Sequence, residues 1–222
     1  MFKNILEFFK GKDFLNQVLE DFKAMLDDAE EMFRSVCKKL IYNEDDPELK
    51  DKIYSIDKKI NELQKDIRKR IVEHLAIQPS VNIPTSLLLM SVVKDAERLG
   101  DYSKNLYEVT TLLTNPIDPN TFKNLFGNID NEILDFFKET KDAFIQSDEN
   151  KAISSWDYQK AIKIKCEETI KKLSNSNLSV NEAVCFTLMT RYFKRLTGHL
   201  TNIATSVILP IDKLDYYDER FK

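Results

Sequence analysis

Asp95-Ala96-Glu97-Arg98-Leu99-Gly100-Asp101-Tyr102-Ser103-Lys104-Asn105 reads as the middle of a long helix in a chain of 222 residues. Glu97 and Asp101 stand four residues apart, which on a helix stacks two carboxylates on one face, roughly 6 Å apart at Cβ. Val93 and Met90 lie one and two turns back in the same stripe, so this face is expected to turn towards the interior. Two acids in such a stripe repel each other and lose hydration unless a cation joins them. That cation is either an Arg or Lys, which is structural, or a metal, which is functional. Spacing alone decides nothing: 37 acids in 222 residues give about six such pairs by chance.

Outward from that stretch the pattern is helical throughout. Over 14–40 the apolar positions Leu15, Val18, Leu19, Phe22, Met25, Leu26, Ala29, Met32, Phe33, Val36, Cys37 and Leu40 recur in steps of three and four. Asn43-Glu44-Asp45-Asp46-Pro47 ends that helix, with Pro47 suited to the first turn of the next. The second carries Ile53, Ile56, Ile60, Leu63, Ile67, Ile71 and Leu75 and stops near Gln78-Pro79-Ser80. The third begins by Pro84-Thr85 and contains the acid pair. Three long helices with short loops predict an antiparallel bundle.

Thr114-Asn115-Pro116-Ile117-Asp118-Pro119-Asn120 carries two prolines and no periodicity, and is the best boundary in the chain. The programme then runs again. A fourth helix holds Leu125, Ile129, Ile133, Phe136, Phe137, Thr140 and Phe144; a fifth runs over 148–173; a sixth carries Val184 to Val207 and ends by Pro210. A shift of 97 residues places Arg98 on Arg195, Leu99 on Leu196 and Asn105 on Asn202; a shift of 100 places Asp57 on Asp157. The expectation is an all-α fold of six long helices in two tandem antiparallel three-helix bundles. The parts are an N-terminal segment over 1–12, a first repeat over 13–114, a linker over 115–120, a second repeat over 121–210 and a loosely held tail over 211–222.

Composition agrees. Four Gly and six Pro are few for the length, as long helices with few turns require. A net charge of −4 and a pI near 5.4 argue against nucleic-acid binding, which needs a basic face. Cys37, Cys166 and Cys185 are far apart, odd in number and without C-x-x-C, so they read as reduced core thiols in the cytoplasm. No apolar run reaches the roughly 20 residues that span a bilayer, and the first residues lack a signal-peptide cleavage pattern. Phe2, Ile5, Leu6, Phe8 and Phe9 interleave with Lys3, Lys10 and Lys12; this amphipathic piece is either a lid on the bundle or a contact for a membrane surface or partner. His74 reads as a surface or capping residue. His199 reads as a packing residue or as one at an interface or behind a ligand. With two histidines and no nucleophile–base arrangement, the chain is not expected to be an enzyme.

The run from Asp95 to Leu106 resembles the signature of the phosphate-uptake regulator family, PhoU. Arg191-Tyr192-Phe193-Lys194-Arg195-Leu196-Thr197-Gly198-His199-Leu200-Thr201-Asn202-Ile203 looks like its second copy, and the tandem repeat is similar too. The resemblance implies a cytoplasmic regulator of phosphate transport and phosphate signalling. Such a regulator acts between a phosphate transporter component and a sensor histidine kinase and reaches the membrane only through a partner; a homodimer is expected. It also implies multinuclear metal sites held by E/D-x-x-x-D pairs on the second and third helices of each repeat. Carried over, those positions are Asp57, Asn61, Glu97 and Asp101 in the first half. In the second half they are Asp157, Ala161, Lys194 and Gly198, where one acid of four survives. Three carboxylates and an amide suit iron, manganese or magnesium better than zinc. The expectation is one metal site in the first half and, in the second, a metal-free pair of Lys194 with Asp157. The alternative is an accessory or metal-binding carboxylate bundle associated with a phosphate or ion carrier. The di-iron enzyme type would need E-x-x-H pairs on two helices, and the sequence has none.

Overall fold

The structure, a computed structural model, describes residues 13–77 and 83–217, with side chains from residue 16. The amphipathic segment over 1–12 lies outside the described residues. Seven α-helices are seen among them: α1 (Asp13–Tyr42), α2 (Leu49–Ile77), α3 (Ile83–Leu112), α4 (Pro119–Phe126), α5 (Ile129–Gln146), α6 (Glu149–Ser174) and α7 (Val180–Thr205). A 3-10 turn follows at Ile211–Lys213. No strand occurs among the described residues.

Seven helices stand where the periodicity predicted six. The predicted fourth helix is two, because Gly127 adopts φ +64° and its N–H closes α4 on the Lys123 carbonyl at 2.9 Å. A left-handed residue cannot continue a right-handed helix, and glycine takes that conformation without penalty. The apolar rhythm runs through the break because both pieces bury the same side, Phe122 and Phe126 before it and Ile129, Ile133, Phe136 and Phe137 after it.

The other ends carry the expected caps. Asp118 accepts from the Thr121 N–H at 2.8 Å with Pro119 at the first helical position. Asp148 accepts from the N–H groups of Asn150 and Lys151. Ser179 and Glu182 form a reciprocal capping box at the start of α7. Asn181 bridges backwards to α3: its Nδ2 donates to the Leu112 carbonyl at 2.8 Å and its Oδ1 accepts from the Thr114 N–H at 3.0 Å. The end of the third helix is thus held by the start of the last.

Helices α1, α2 and α3 pack on one another, as do α5, α6 and α7, and α3 lies along α7 while α1 reaches α5. One apolar core runs through both sets. Phe33 of α1 meets Phe137 of α5 at 5.9 Å and Phe193 of α7 edge-on at 6.2 Å; Phe22 meets Phe144 at 4.8 Å. The described part of the tail, as far as Tyr217, is more firmly held than its composition suggested. Tyr217 is buried with its ring edge-on to Trp156 at 5.7 Å, and Asp215 pairs with Lys94 at 3.3 Å. All three cysteines are free and buried.

Candidate functional site

Gly100 sets the approach of α2 to α3. A Cβ built there would meet Ile60 Cδ1 at 3.0 Å, so the missing side chain lets the helices close and brings Asp57 opposite the second half of the motif. Lys104 then reaches across: its Nζ lies 2.8 Å from both oxygens of Asp57 and 3.3 Å from Asp101 Oδ1. Asn61 Nδ2 sits 3.5 Å from Asp57 Oδ2. On the outer side, Arg98 donates to Asp101 at 2.8 Å and holds Glu97 at 3.6 Å.

The structure therefore brings Asp57, Asn61, Glu97 and Asp101 into one neighbourhood, with Lys104 and Arg98 between the acids. Among the described residues no three His, Cys, Asp or Glu side chains converge as a metal-binding group. Burial and the neighbouring Asp101 push the Glu97 carboxyl up, against the pull of Arg98 and Arg68. Burial pulls the Lys104 ammonium down, yet Asp57 and Asp101 outweigh it and leave it above the usual lysine range. The chemistry of the donor set is hard oxygen, and the cations that face it are the chain's own. A metal would fit these four residues only with Lys104 displaced.

The opposite face of α3 carries a group that periodicity hid. Asp95 is fully buried among Val92, Val93, Ala96 and Leu99. Its Oδ1 receives His199 Nδ1 at 2.7 Å and Asn202 Nδ2 at 3.2 Å. His199 stacks on Tyr102 with ring centroids 5.6 Å apart. An Asp in the α3 core is tolerated because two polar groups of α7 come to it. His199 is thus an interface residue between the halves. The sequence held a usable signal, since a charged residue in an apolar stripe needs a partner from elsewhere.

In the second half, Lys194 pairs with Glu167 at 3.4 Å, not with Asp157 as expected. Asp157 lies toward the N-terminal half of α6, ten residues before Glu167, against a cavity of about 500 Å³ that Trp156, Lys160 and Tyr217 also line. Beside it is a second cavity of about 450 Å³, whose wall includes Gln159, Lys163, Arg191, Lys194, Arg195 and His199. The two ends of the pseudo-repeated motif thus differ in sign: a closed acid cluster on α3 and an open basic cavity on α7. Elsewhere the thiols are inert at neutral pH, with burial raising Cys166 to about 12.

Residues 15–110 match the model of the PhoU domain. That span covers nearly all of α1 to α3 and contains Asp57, Asn61, Glu97 and Asp101. The first three helices are thus similar to the PhoU domain. Among curated proteins, the chain is 22% identical over 187 residues to the phosphate-specific transport system accessory protein PhoU homolog of Clostridium acetobutylicum, covering 78% of this chain and 85% of that protein. It is 23% identical over 205 residues to PhoU homolog 1 of Thermotoga maritima, with 86% and 79% covered. The Synechocystis homolog is 33% identical over 102 residues, 45% of each chain. Among solved structures, PhoU from Pseudomonas aeruginosa superposes with a TM-score of 0.77 at 22% identity, covering 88% of this chain and 95% of that one. PhoU from Streptococcus pneumoniae gives 0.77 at 18% identity, with 91% and 95% covered. At these identities the two structures speak for the fold.

Proposed function

We propose that this PhoU-like chain is an accessory regulator of phosphate transport and phosphate signalling, acting by docking its helical surfaces on a phosphate transporter component or a sensor histidine kinase. The observation that carries the reading is the PhoU-domain match over 15–110, which takes in the whole acid motif. The printed names of the relatives from Clostridium acetobutylicum and Thermotoga maritima, accessory proteins of phosphate-specific transport, support it. Free, buried cysteines suit a reducing compartment, and the chain works in the cytoplasm as a homodimer. No helix among the described residues is long and apolar enough to cross a membrane; in this reading the chain meets the transporter by docking. The chain performs no chemistry of its own. In cells from which it is deleted, phosphate uptake should continue when external phosphate is raised, and restoring the chain should restore the shut-off. Uptake kinetics unchanged by the deletion would overturn the reading.

A second reading is supported by the meeting of Asp57 and Asp101 at the Lys104 ammonium, with Asn61 beside Asp57 and Glu97 beside Asp101. In this reading a hard cation (iron, manganese or magnesium) replaces Lys104 there when the chain is charged with metal. Elemental analysis of untagged protein should then find metal that is lost in Asp101→Asn and kept in Asp157→Ala. Metal lost on Asp157→Ala, or none in any preparation, would remove it.

A further inference from the structure

The cavity between α6 and α7 is lined by four cations, Lys163, Arg191, Lys194 and Arg195, and by no carboxylate. Arg191, Lys194, Arg195, Gly198, His199 and Asn202 follow one another at helical spacing along one face of α7, and Lys163 joins them from α6. Like charges three and four residues apart destabilise a helix unless something offsets them. In the first half, by contrast, the motif cations are matched: Arg98 and Lys104 each hold a carboxylate, as do Arg34 and Arg70 nearby. Here, among the described residues, Lys163, Arg191 and Arg195 have no carboxylate within 4.0 Å, and Lys194 alone has one, Glu167 at 3.4 Å.

The cavity is also shaped for a small guest. Its volume of about 450 Å³ lies within the range of ligand pockets. Gly198 leaves the middle of the wall bare, and a Cβ there would find only Gln159 Nε2, at 3.7 Å. His199 is oriented from behind: with its Nδ1 engaged by the buried Asp95, its Nε2 is the nitrogen left for the cavity side. Gln159 Oε1 is buried with no hydrogen-bond partner. An acceptor left bare in a basic cavity asks for an anion that also carries an O–H, which hydrogen phosphate has and sulfate lacks.

We infer that this cavity is an oxyanion site that takes a phosphate group, free or as the terminal phosphoryl of a larger molecule, between Arg191, Arg195, Lys163 and Lys194. Guanidinium pairs are suited to it because their fork of donors matches phosphate oxygens. The site is independent of the regulatory role: binding is read on purified protein, and failure of the uptake experiment would leave it standing.

The test is isothermal titration and thermal unfolding of the full chain with sodium orthophosphate, with sulfate and with chloride at matched ionic strength, and with ADP in a separate arm. Orthophosphate or ADP should bind saturably and raise the unfolding temperature, with sulfate weaker and chloride inert. Tighter binding of orthophosphate identifies the free ion as the ligand, and tighter binding of ADP a phosphoryl group. Arg191→Gln with Arg195→Gln should weaken phosphate by about tenfold or more. Without phosphate the double variant should unfold no more easily than wild type, because it relieves like-charge repulsion. Lys172→Ala, on α6 with Lys163 but away from the cavity, should bind as wild type does. Sulfate or chloride matching phosphate, or a double variant with an unchanged isotherm, would overturn the site.

Discussion

Lys104 is the residue on which the acid motif of α3 turns. One ammonium satisfies carboxylates on two helices, Asp57 on α2 and Asp101 on its own. Lys104→Met should cost about 1–2 kcal/mol at neutral pH, because it leaves two half-buried carboxylates facing each other. The loss, read by urea unfolding, should shrink once the acids protonate. Glu97 works in the opposite sense. Its carboxyl is raised above the usual 4.5 by burial and by Asp101, so the folded state holds a proton more tightly than the unfolded one. Its contribution to stability is therefore present below about pH 4.5 and lost as pH rises through the raised value. Glu97→Gln should accordingly raise the unfolding temperature at pH 7, and the gain should vanish below the ordinary carboxylate range. The acid cluster was legible from Asp57, Glu97 and Asp101 in the sequence, and so were its candidate cations. Which cation closes it was not, because Lys104 lies three residues beyond Asp101 and its reach across to α2 depends on the helix approach at Gly100. Asp95 in its apolar stripe signalled the need of a partner, but that the partner is His199 was not legible, because the two are 104 residues apart and meet only through the packing of α3 on α7.

At the scale of the helix, the two motif glycines separate close approach from open space. Gly198→Ala should stabilise by up to about 1 kcal/mol, since alanine favours the helix and its Cβ meets only Gln159 Nε2 at 3.7 Å. Gly100→Ala gains the same propensity but must push Ile60 Cδ1 from 3.0 Å, so it should fall short of that gain, and Gly100→Val should destabilise by about 1–3 kcal/mol. Chemical denaturation of the three variants reads both signs. Periodicity located α1, α2, α3, α6 and α7 because each is long and amphipathic or has recognisable stops, such as Pro47, Pro84 and Asn175. It missed the break between α4 and α5 because apolar residues on either side of Gly127 keep helical spacing, and a single positive φ leaves no mark on that rhythm.

At the scale of the molecule, the two sets of helices share one core instead of touching at a seam. Phe33 stands where α1, α5 and α7 meet. Phe33→Ala should cost about 3–5 kcal/mol and shift a single unfolding transition, seen by circular dichroism and tryptophan fluorescence alike. Separate transitions in the two probes would show halves that melt alone. Lys141 of α5 adds ion pairs to Asp27 and Glu30 of α1, both at 2.7 Å, across the same contact. The pseudo-repeat in the sequence carried the order of the elements but not this fusion, since side chains from both halves build the joint core. Surface charge then divides the work, with acids closed by cations on α3 and cations left open on α7.

Docking on the phosphate transporter is the claim on which the regulatory reading stands, and it is most directly measured between purified partners. Full-length chain immobilised through one terminus would be exposed to the detergent-solubilised phosphate transporter of the same cell, at low and at high phosphate. The account predicts saturable binding whose strength changes with phosphate concentration. Absence of binding at both concentrations, under conditions where the transporter is active, would contradict it.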